Sequence, residues 1–245
     1  MIGMVLAAGA GRRLRPYTDT LPKTLVPVDG DRTILDVSLA NFARVGLRDV
    51  VLVTGYKSGA LEERRAALEA EHGVALELVF NDRAEEWNNA YSLWCAREHF
   101  QRGVVLVNGD TIAPVSVTEA LVAASGGDHD LILALDDLKV LGEEEMKVRL
   151  DAEGLLTGIN KALDPGSAAG EYIGLTLIEP QAAEPLASAL QATFERDPQL
   201  YYEDGFKELA DRGGRIGAAP IGAVEWVEVD DQADLARARE VACRC

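Results

Sequence analysis

The chain has 245 residues, of which 48% are hydrophobic, and a formal net charge of −17. This length suffices for one large domain or two small ones, and the apolar content allows a sizeable core. An acidic surface repels nucleic acid and anionic membranes, so we expect neither as a partner. Because no apolar run approaches the roughly 20 residues that span a bilayer, and residues 1–8 are too short for a signal peptide, the sequence predicts a cytoplasmic protein.

The cysteines are few and odd in number, which is typical of a reducing compartment: Cys95, Cys243 and Cys245. Cys243 and Cys245 form a C-x-C pair, which can be interpreted as a metal or redox site or as incidental thiols. Incidental thiols are favoured, because a closed zinc site needs a second pair of ligands.

The first half of the chain alternates short apolar runs with helical patterns. Strands are predicted at residues 1–8, 50–54, 76–80, 104–107 and 131–135, and helices at 34–45, 61–72, 90–100 and 117–125. Buried strands that alternate with helices predict an α/β fold with a Rossmann-like, doubly wound and mostly parallel sheet.

The alternation of apolar runs with helical patterns changes after about residue 136. Apolar and polar residues alternate over 146–150, residues 151–154 favour a turn, and residues 155–161 would return beside the first strand, which predicts an antiparallel hairpin. The elements predicted after it are strands at 172–178 and 224–229 and helices at 180–195, 203–212 and 231–241. We therefore expect a single domain over residues 1–245, with a mixed sheet in its second half and a small antiparallel subregion.

Residues 6–28 contain the densest local chemistry of the chain. Gly9 and Gly11 allow the backbone to approach a ligand closely and to form an anion-binding nest of N–H groups. The arginines of residues 12–15 follow at once, and their guanidinium forks suit phosphate oxygens. Prolines within residues 16–27 keep that segment out of a helix, so Lys23 is predicted on an extended stretch that folds back over the site.

This segment differs from the two common glycine-rich nucleotide loops. In the dinucleotide fingerprint G-x-G-x-x-G a third glycine opens a helix, whereas here Leu14 and a proline-rich loop follow. The P-loop pattern is absent as well. An NAD-dependent oxidoreductase is therefore disfavoured, and the remaining alternatives are a phosphate site and an ordinary turn with surface arginines. The arginines together with Lys23 favour the phosphate site.

Two aspartates each follow an apolar strand pattern. Asp110 follows residues 104–109 at the predicted carboxyl end of a central strand, where the ligands of open α/β sheets bind. Asp230 ends the pattern of residues 224–229. Two carboxylates in an anion-binding site would repel the substrate unless a cation intervened, so the pair predicts a Mg²⁺ site. The alternatives are a turn residue for Asp110 and a helix N-cap for Asp230, although Asp231 is the better cap candidate.

Residues 6–28, L-A-A-G-x-G-x-R-L-x-P-x-T-x-x-x-P-K-x-L-x-P-V, resemble the signature of the nucleotidyltransferases that activate sugar phosphates and alcohol phosphates. The resemblance implies the nucleotidyltransferase fold, a nucleotide-binding half at 1–135 and an acceptor-binding half at 136–245. It also implies a transfer that releases pyrophosphate. The implied catalytic residues are Arg13 at the phosphates and Lys23 at the α-phosphate and acceptor phosphate. The implied nucleotide contacts are Leu6, Ala7, Ala8, Gly9, Gly11 and Arg12, and the implied magnesium ligands are Asp110 and Asp230.

The segment N-N-x-Y-S-L at residues 88–93 resembles the phosphocholine cytidylyltransferase-like branch of this family. Residues 146–148 and 201–204 resemble the same branch. The resemblance implies CTP as the nucleotide, with UTP or dTTP as the alternative, and contacts near the base from Asn88 and Ser92. It implies a small phosphorylated or phosphonylated alcohol or amino alcohol as the acceptor, with a sugar 1-phosphate as the alternative.

The candidates for binding this acceptor are Lys161, Glu171, Tyr172, Tyr202, Glu203 and Asp204, with Trp94, Tyr201 and Trp226 as further aromatic groups that could face a cation. For each aromatic residue the alternative is a place in the core, and for Lys161 it is a solvated position after the hairpin. A non-catalytic nucleotide-binding domain is disfavoured by the intact Lys23, Asp110 and Asp230. A homo-oligomer is an open alternative to a monomer.

Overall fold

The computed structural model describes residues 1–242, so Cys243 and Cys245 lie outside the described residues. The strands are β1 (Ile2–Ala7), β2 (Pro27–Asp29), β3 (Arg32–Thr33), β4 (Asp49–Thr54), β5 (Ala75–Phe80), β6 (Val104–Asn108), β7 (Thr111–Ile112), β8 (Leu131–Asp136), β9 (Lys147–Leu150), β10 (Leu156–Asn160), β11 (Gly170–Ile178), β12 (Ile216–Pro220) and β13 (Val227–Glu228). The helices are α1 (Ile34–Arg44), α2 (Ser58–His72), α3 (Asn89–Cys95), α4 (Val115–Ala123), α5 (Ala183–Arg196), α6 (Tyr202–Asp211) and α7 (Gln232–Ala242). None of these helices is both long enough and apolar enough to cross a bilayer.

Strand β1 lies at the centre of a parallel group of strands. It pairs with β4 on one side and with β6 on the other, and β4 in turn carries β5. Leu6 lies opposite both Val53 and Asn108, so the carboxyl ends of β1, β4 and β6 meet at the same edge. The chain order reverses at β1, and ligand crevices of open α/β sheets lie at such a point.

The second half of the chain extends the sheet with antiparallel strands. Strand β11 pairs antiparallel with β6, β8 and β9, while β10 pairs antiparallel with β9. All of β11 is buried, which explains its nearly continuous apolar sequence. The fold is therefore the expected mixed α/β sheet, with its antiparallel part on the side of β6.

Three buried clusters hold the elements together. One packs α3, α5 and α6 against one face of the sheet, and another packs α1, α2 and α4 against the other face. The third joins the N-terminal loop to α7 and β13 through side chains that include Leu14, Val26, Val229 and Leu235. This third cluster matters for function, because it brings the C-terminal segment to the glycine-rich loop.

The structure corrects several predicted elements. The strand expected at 224–229 is reduced to Val227–Glu228. The helix expected at 90–100 ends at Cys95, because the amide of Ala96 bonds to the carbonyl of Leu93 and the chain tightens into a 3-10 helix at Arg97–Arg102. Strand β12 was not predicted, since an edge strand of small residues paired only with β8 has little apolar signal. Lys23 begins a 3-10 turn at Lys23–Leu25 instead of lying on an extended stretch, because the carbonyl of Pro22 accepts the amide of Leu25.

Gly109 is required by the close approach of β1 to the loop that carries Asp110. A Cβ atom at Gly109 would lie 2.3 Å from the carbonyl oxygen of Leu6 and 2.6 Å from Cγ2 of Thr24. We expect Gly109→Ala to lower the free energy of unfolding by about 2–4 kcal/mol, within the range of overpacking and strain effects, which urea titration measures. Gly59→Ala on α2 is the matched control, because a Cβ at this position meets none of the described residues within 4 Å, and we expect it to be neutral or stabilising. Equal stability of the two variants would contradict the proposed constraint.

Candidate functional site

Asp110 and Asp230 are brought together by a short strand pair. Asp110 lies two residues beyond β6, and β7 then pairs antiparallel with β13, with Glu228 opposite Thr111. The amide of Val229 donates a 2.9 Å hydrogen bond to the carbonyl of Asp110. The backbone therefore fixes the aspartate from the end of the chain beside the one from its middle, as the resemblance implied for the pair.

Lys23 connects the two aspartates. Its Nζ donates to Oδ2 of Asp110 at 2.7 Å and to Oδ1 of Asp230 at 2.7 Å, while Nη2 of Arg13 donates to Oδ2 of Asp230 at 2.8 Å. Burial by itself would lower the pKa of Lys23, but its attraction to Asp110 and Asp230 outweighs burial and raises it. Burial would likewise raise the pKa of Asp230, but Lys23 and Arg13 lower it. This arrangement keeps Lys23 charged at neutral pH.

Gly11 packs closely against the side chain of Lys23. Its φ of +54° lies in the left-handed region, and a Cβ there would lie 3.0 Å from Cβ of Lys23. The hydroxyl of Thr18 donates to the carbonyl of Gly11 at 2.9 Å, which holds the loop in place. Gly11 thus allows the loop and the lysine to pack together, and its role in the structure is to support the site.

Three carboxylates form a group that fits a divalent cation. Ligand atoms of Asp110, Glu228 and Asp230 all lie within 4.8 Å of one another. Among the described residues, Oδ1 of Asp110 is buried and has no hydrogen-bond partner. An oxygen-only donor set of this kind suits Mg²⁺, and the unpartnered oxygen gives the ion a ligand that the protein itself does not use.

Glu228 was missed by the sequence reasoning, although it stands two residues before Asp230. Residues at this spacing share one face of an extended chain, and the E-x-D pattern is the signal that could have found it. Although much of the Glu228 side chain borders the open cleft, burial of its carboxyl, together with the neighbouring Asp110 and Asp230, raises its pKa to about 7.

A cleft of about 320 Å³ opens beside the three carboxylates. The residues predicted to contact the nucleotide that line it are Leu6, Ala8, Gly9, Asn88 and Ser92, together with Arg13. Ala7 is buried beneath it and Arg12 is exposed outside it. Asn81, which the sequence reasoning did not select, donates from Nδ2 to Oγ of Ser92 at 2.8 Å and so orients that hydroxyl.

The predicted acceptor residues separate into two groups. Lys161, Tyr172 and Glu203 line the cleft. Glu171 lines an adjoining cavity of about 610 Å³, where its Oε2 accepts from Nζ of Lys139 at 2.7 Å. Both cavities are lined by Arg13, Glu144, Lys161, Glu228 and Asp230, so they meet beside the group of three carboxylates.

The remaining candidates have structural roles. The hydroxyl of Tyr202, a fully buried side chain, donates to Oδ1 of Asn108 at 2.8 Å. Oδ2 of Asp204 accepts from the amide of Tyr201 at 2.9 Å, so it caps the start of α6. Trp94 packs with Tyr91 and Phe194 outside both cavities.

The other two aromatic candidates do line the cavities. Tyr201 borders the smaller cleft and Trp226 the larger cavity. Nζ of Lys139 already lies 5.4 Å from the ring centroid of Trp226, and Nε1 of Trp226 donates to Oδ2 of Asp136 at 2.8 Å. A protein cation therefore already lies against the aromatic face that could have met a cationic acceptor.

Glu203 predicts a pH dependence of stability. Burial is the main cause that raises its pKa from 4.5 to about 8. A carboxyl whose folded-state pKa is raised stabilises the fold below its unfolded pKa, and this contribution is lost as the pH rises from about 4.5 through 8. We expect the urea midpoint of the wild type to fall between pH 5 and pH 9, and Glu203→Gln to reduce that fall. The difference amounts to several kcal/mol, at about 1.4 kcal/mol for each pKa unit.

The control for this measurement is Glu153→Gln, in the exposed turn between β9 and β10, which should follow the wild type. Parallel pH profiles of Glu203→Gln and the wild type would contradict the raised pKa.

Comparison with known proteins defines the family. The family model described as Nucleotidyl transferase matches residues 2–136, more than half of the chain. The chain belongs to the nucleotidyl transferase family. The N-acetylmuramate alpha-1-phosphate uridylyltransferase of Caulobacter vibrioides is 30% identical over 98% of this chain and 97% of its own length.

Other relatives of this nucleotidyl transferase handle cytidine nucleotides. The CMP-5'-(3-aminopropyl)phosphonate synthase of Streptomyces rubellomurinus is 33% identical over 96% of this chain and 38% of its own length. The choline-phosphate cytidylyltransferase of Streptococcus pneumoniae is 35% identical over 43% of this chain and 43% of its own length. The chain thus spans less than half of the length of the first of these relatives, and the match to the second covers less than half of either chain.

A solved structure gives the same fold. The inositol-1-phosphate CTP transferase of T. maritima superposes with a TM-score of 0.84 at 24% sequence identity, over 99% of this chain and 94% of that one. The predicted family and its fold are therefore confirmed.

Proposed function

We propose that this nucleotidyl transferase moves CMP from CTP to a small phosphorylated or phosphonylated alcohol or amino alcohol and releases pyrophosphate. The observation that carries the proposal is the contact of Lys23 with Asp110 and Asp230, beside Arg13 and the glycine-rich loop. A largely buried lysine and an exposed arginine beside carboxylates, at the carboxyl end of a central strand, suit a reaction between two phosphate groups.

The reaction requires positioning and charge neutralisation. An oxygen of the acceptor phosphate attacks the α-phosphorus in line, and the bond from that phosphorus to the pyrophosphate oxygen breaks. This attacking oxygen is ionised near neutral pH, so no protein group has to remove a proton from it. Lys23 is the proposed contact for both the α-phosphate and the acceptor phosphate, and Arg13 is the proposed contact for the oxygens of the leaving pyrophosphate.

Asp110, Glu228 and Asp230 are the residues that would hold Mg²⁺. When bound, the ion supplies Lewis-acid neutralisation of charge on phosphate oxygens. The proposed protein contacts with the base come from Leu6, Ala8 and Gly9 and from Asn88 and Ser92, which all line the cleft. Lys161, at the meeting point of both cavities, is the proposed contact for the acceptor phosphate.

The choice of CTP is supported by two kinds of likeness. Residues 88–93 resemble the cytidylyltransferase branch, and the names of two relatives and one structural neighbour refer to CMP, CTP or a cytidylyl group. A specific observation favours a second candidate: the relative matched over nearly its full length is a sugar-phosphate uridylyltransferase. The alternative is therefore the transfer of UMP or dTMP to a sugar 1-phosphate.

The test is a matrix of nucleotides against acceptors. CTP, UTP and dTTP are each combined with phosphocholine, 2-aminoethylphosphonate, inositol 1-phosphate and glucose 1-phosphate in the presence of Mg²⁺, and pyrophosphate release is measured. We expect measurable turnover with CTP and the first three acceptors, fastest with one of them. Faster turnover with UTP or dTTP and glucose 1-phosphate would establish the alternative, and absence of turnover with every pair would contradict both.

A further inference from the structure

Lys147 is a buried lysine that bonds only to the backbone in the part of the chain that the structure describes. Its side chain is 1% exposed, and its Nζ donates to the carbonyl oxygens of Gly142, Glu143 and Glu145 at 2.9, 2.9 and 3.1 Å. An ammonium carries three donors, so all of them are used. Burial of a charge is strongly unfavourable unless its hydrogen bonds to water are replaced. Lys147 meets that condition because one short loop folds around its ammonium group and supplies all three carbonyl acceptors.

That loop, residues 137–146 between β8 and β9, is named the strap here. Its first part is fixed by Asp136, whose Oδ1 accepts from the amides of Leu138 and Lys139. Lys139 Nζ contacts Oε2 of Glu171 at 2.7 Å and Oε1 of Glu145 at 3.3 Å. Two lysines, one at each end, therefore hold a segment that has no helix or strand of its own.

The strap forms a wall on the acceptor side of the site. Glu144 lines both cavities, and Met146 lines the smaller cleft. Gly9, Asn88 and Ser92, the proposed nucleotide contacts, do not line the larger cavity into which the strap extends. The larger cavity therefore contains strap residues and none of these three proposed nucleotide contacts, so a shift of the strap there changes the lining that an acceptor would meet.

We propose that the strap determines which acceptor the enzyme takes, and that Lys147 is the positioning residue that holds it. This inference rests on the proposed function. The carboxylate of Glu144 repels an anion, so the acceptor phosphate stays with Lys161 and the far end of the acceptor faces the strap. Acceptors with a hydrogen-bond donor or a cation at that far end are favoured.

The test compares Lys147→Met and Lys147→Arg with the wild type, with Lys207→Met as a control. Lys207 lies on α6 and pairs with Asp211 on the surface. For the acceptor that gives turnover in the matrix above, kcat and KM are measured together with the Kd for CTP by calorimetry. We expect Lys147→Met to raise the acceptor KM about 10-fold or more while the Kd for CTP stays within about two-fold. Lys147→Arg, which keeps N–H donors, should recover part of the loss.

A second variant keeps the inference testable if Lys147→Met fails to fold. Glu144→Gln changes an exposed side chain, so it should fold and should alter the ratio of kcat/KM between phosphocholine, 2-aminoethylphosphonate and inositol 1-phosphate. An unchanged ratio in Glu144→Gln, or an equal loss of CTP and acceptor binding in a folded Lys147→Met, would overturn the role of the strap. Wild-type protein without turnover for any acceptor would overturn the proposed function itself, which is a separate outcome.

Discussion

Replacement of Lys23 by methionine should abolish turnover while the protein stays folded. The side chain keeps a similar length but loses the charge that contacts both Asp110 and Asp230. Loss of one preorganised electrostatic contact to a developing charge typically costs about 10²–10³ in kcat. Because Lys23 is proposed to touch both reacting phosphates, we expect a loss at or above the upper end of that range, measured by pyrophosphate release.

Metal binding separates this result from a general loss of structure. Without the ammonium, Asp110 loses its cationic partner and Asp230 keeps only Arg13. Lys23→Met should therefore bind Mn²⁺ at least as tightly as the wild type in the absence of nucleotide. Lys207→Met on the surface of α6 is the control and should keep normal activity. Near-normal turnover of Lys23→Met would contradict the proposed mechanism.

Replacement of Asp110 by asparagine should remove metal binding and activity together. Oδ1 of Asp110 is a buried oxygen that has no hydrogen-bond partner among the described residues, and its Oδ2 contacts Lys23. Asparagine keeps the shape but loses the charge, so we expect the affinity for Mn²⁺ to fall about 10-fold or more and turnover to fall by about 10²-fold or more. Electron paramagnetic resonance titration of Mn²⁺ measures the first effect and pyrophosphate release the second.

The matched control for this variant is Asp31→Asn, in the exposed turn between β2 and β3. It carries the same change of charge far from the carboxylate group and should leave both quantities unchanged. Undiminished Mn²⁺ affinity in Asp110→Asn would show that the metal is held elsewhere. Lys23→Met and Asp110→Asn therefore give opposite expectations for the metal and the same expectation for turnover.

Some of the site could be predicted because its signals are local in sequence. Gly9 and Gly11 follow a strand at short distance, and the proline-bounded Lys23 needs no knowledge of distant residues. The two halves of the sheet could also be recognised, since each strand carries its own apolar pattern. The detailed conformation of the loop could not be predicted. Lys23 lies in a 3-10 turn, which is stabilised by a hydrogen bond from the amide of Leu25 to the carbonyl of Pro22.

For other residues, the chemistry of the side chain could be recognised in the sequence, but its place in the fold could not. Asp204 and Glu203 are adjacent acidic residues, yet Asp204 caps α6 while Glu203 lines the cleft with a raised pKa. The phase of α6 and its packing against α5 decide which of the two side chains faces the cleft. The sequence Y-Y-E-D of residues 201–204 indicates neither. Lys147 likewise looks like an outward-facing strand residue by its charge, and only the fold of residues 142–145 around it explains its burial.

The sequence by itself determined the chemistry proposed for the nucleotide side, because the signals of a phosphate-binding loop are backbone groups and cations that are neighbours in the chain. Only the tertiary structure decided the rest of the site. The pairing of β7 with β13 brings Glu228 and Asp230 to Asp110, and the strap brings Glu144 to the place where the cavities meet. These groups converge from segments far apart in the chain, and their distances depend on strand register and packing, which local patterns do not encode.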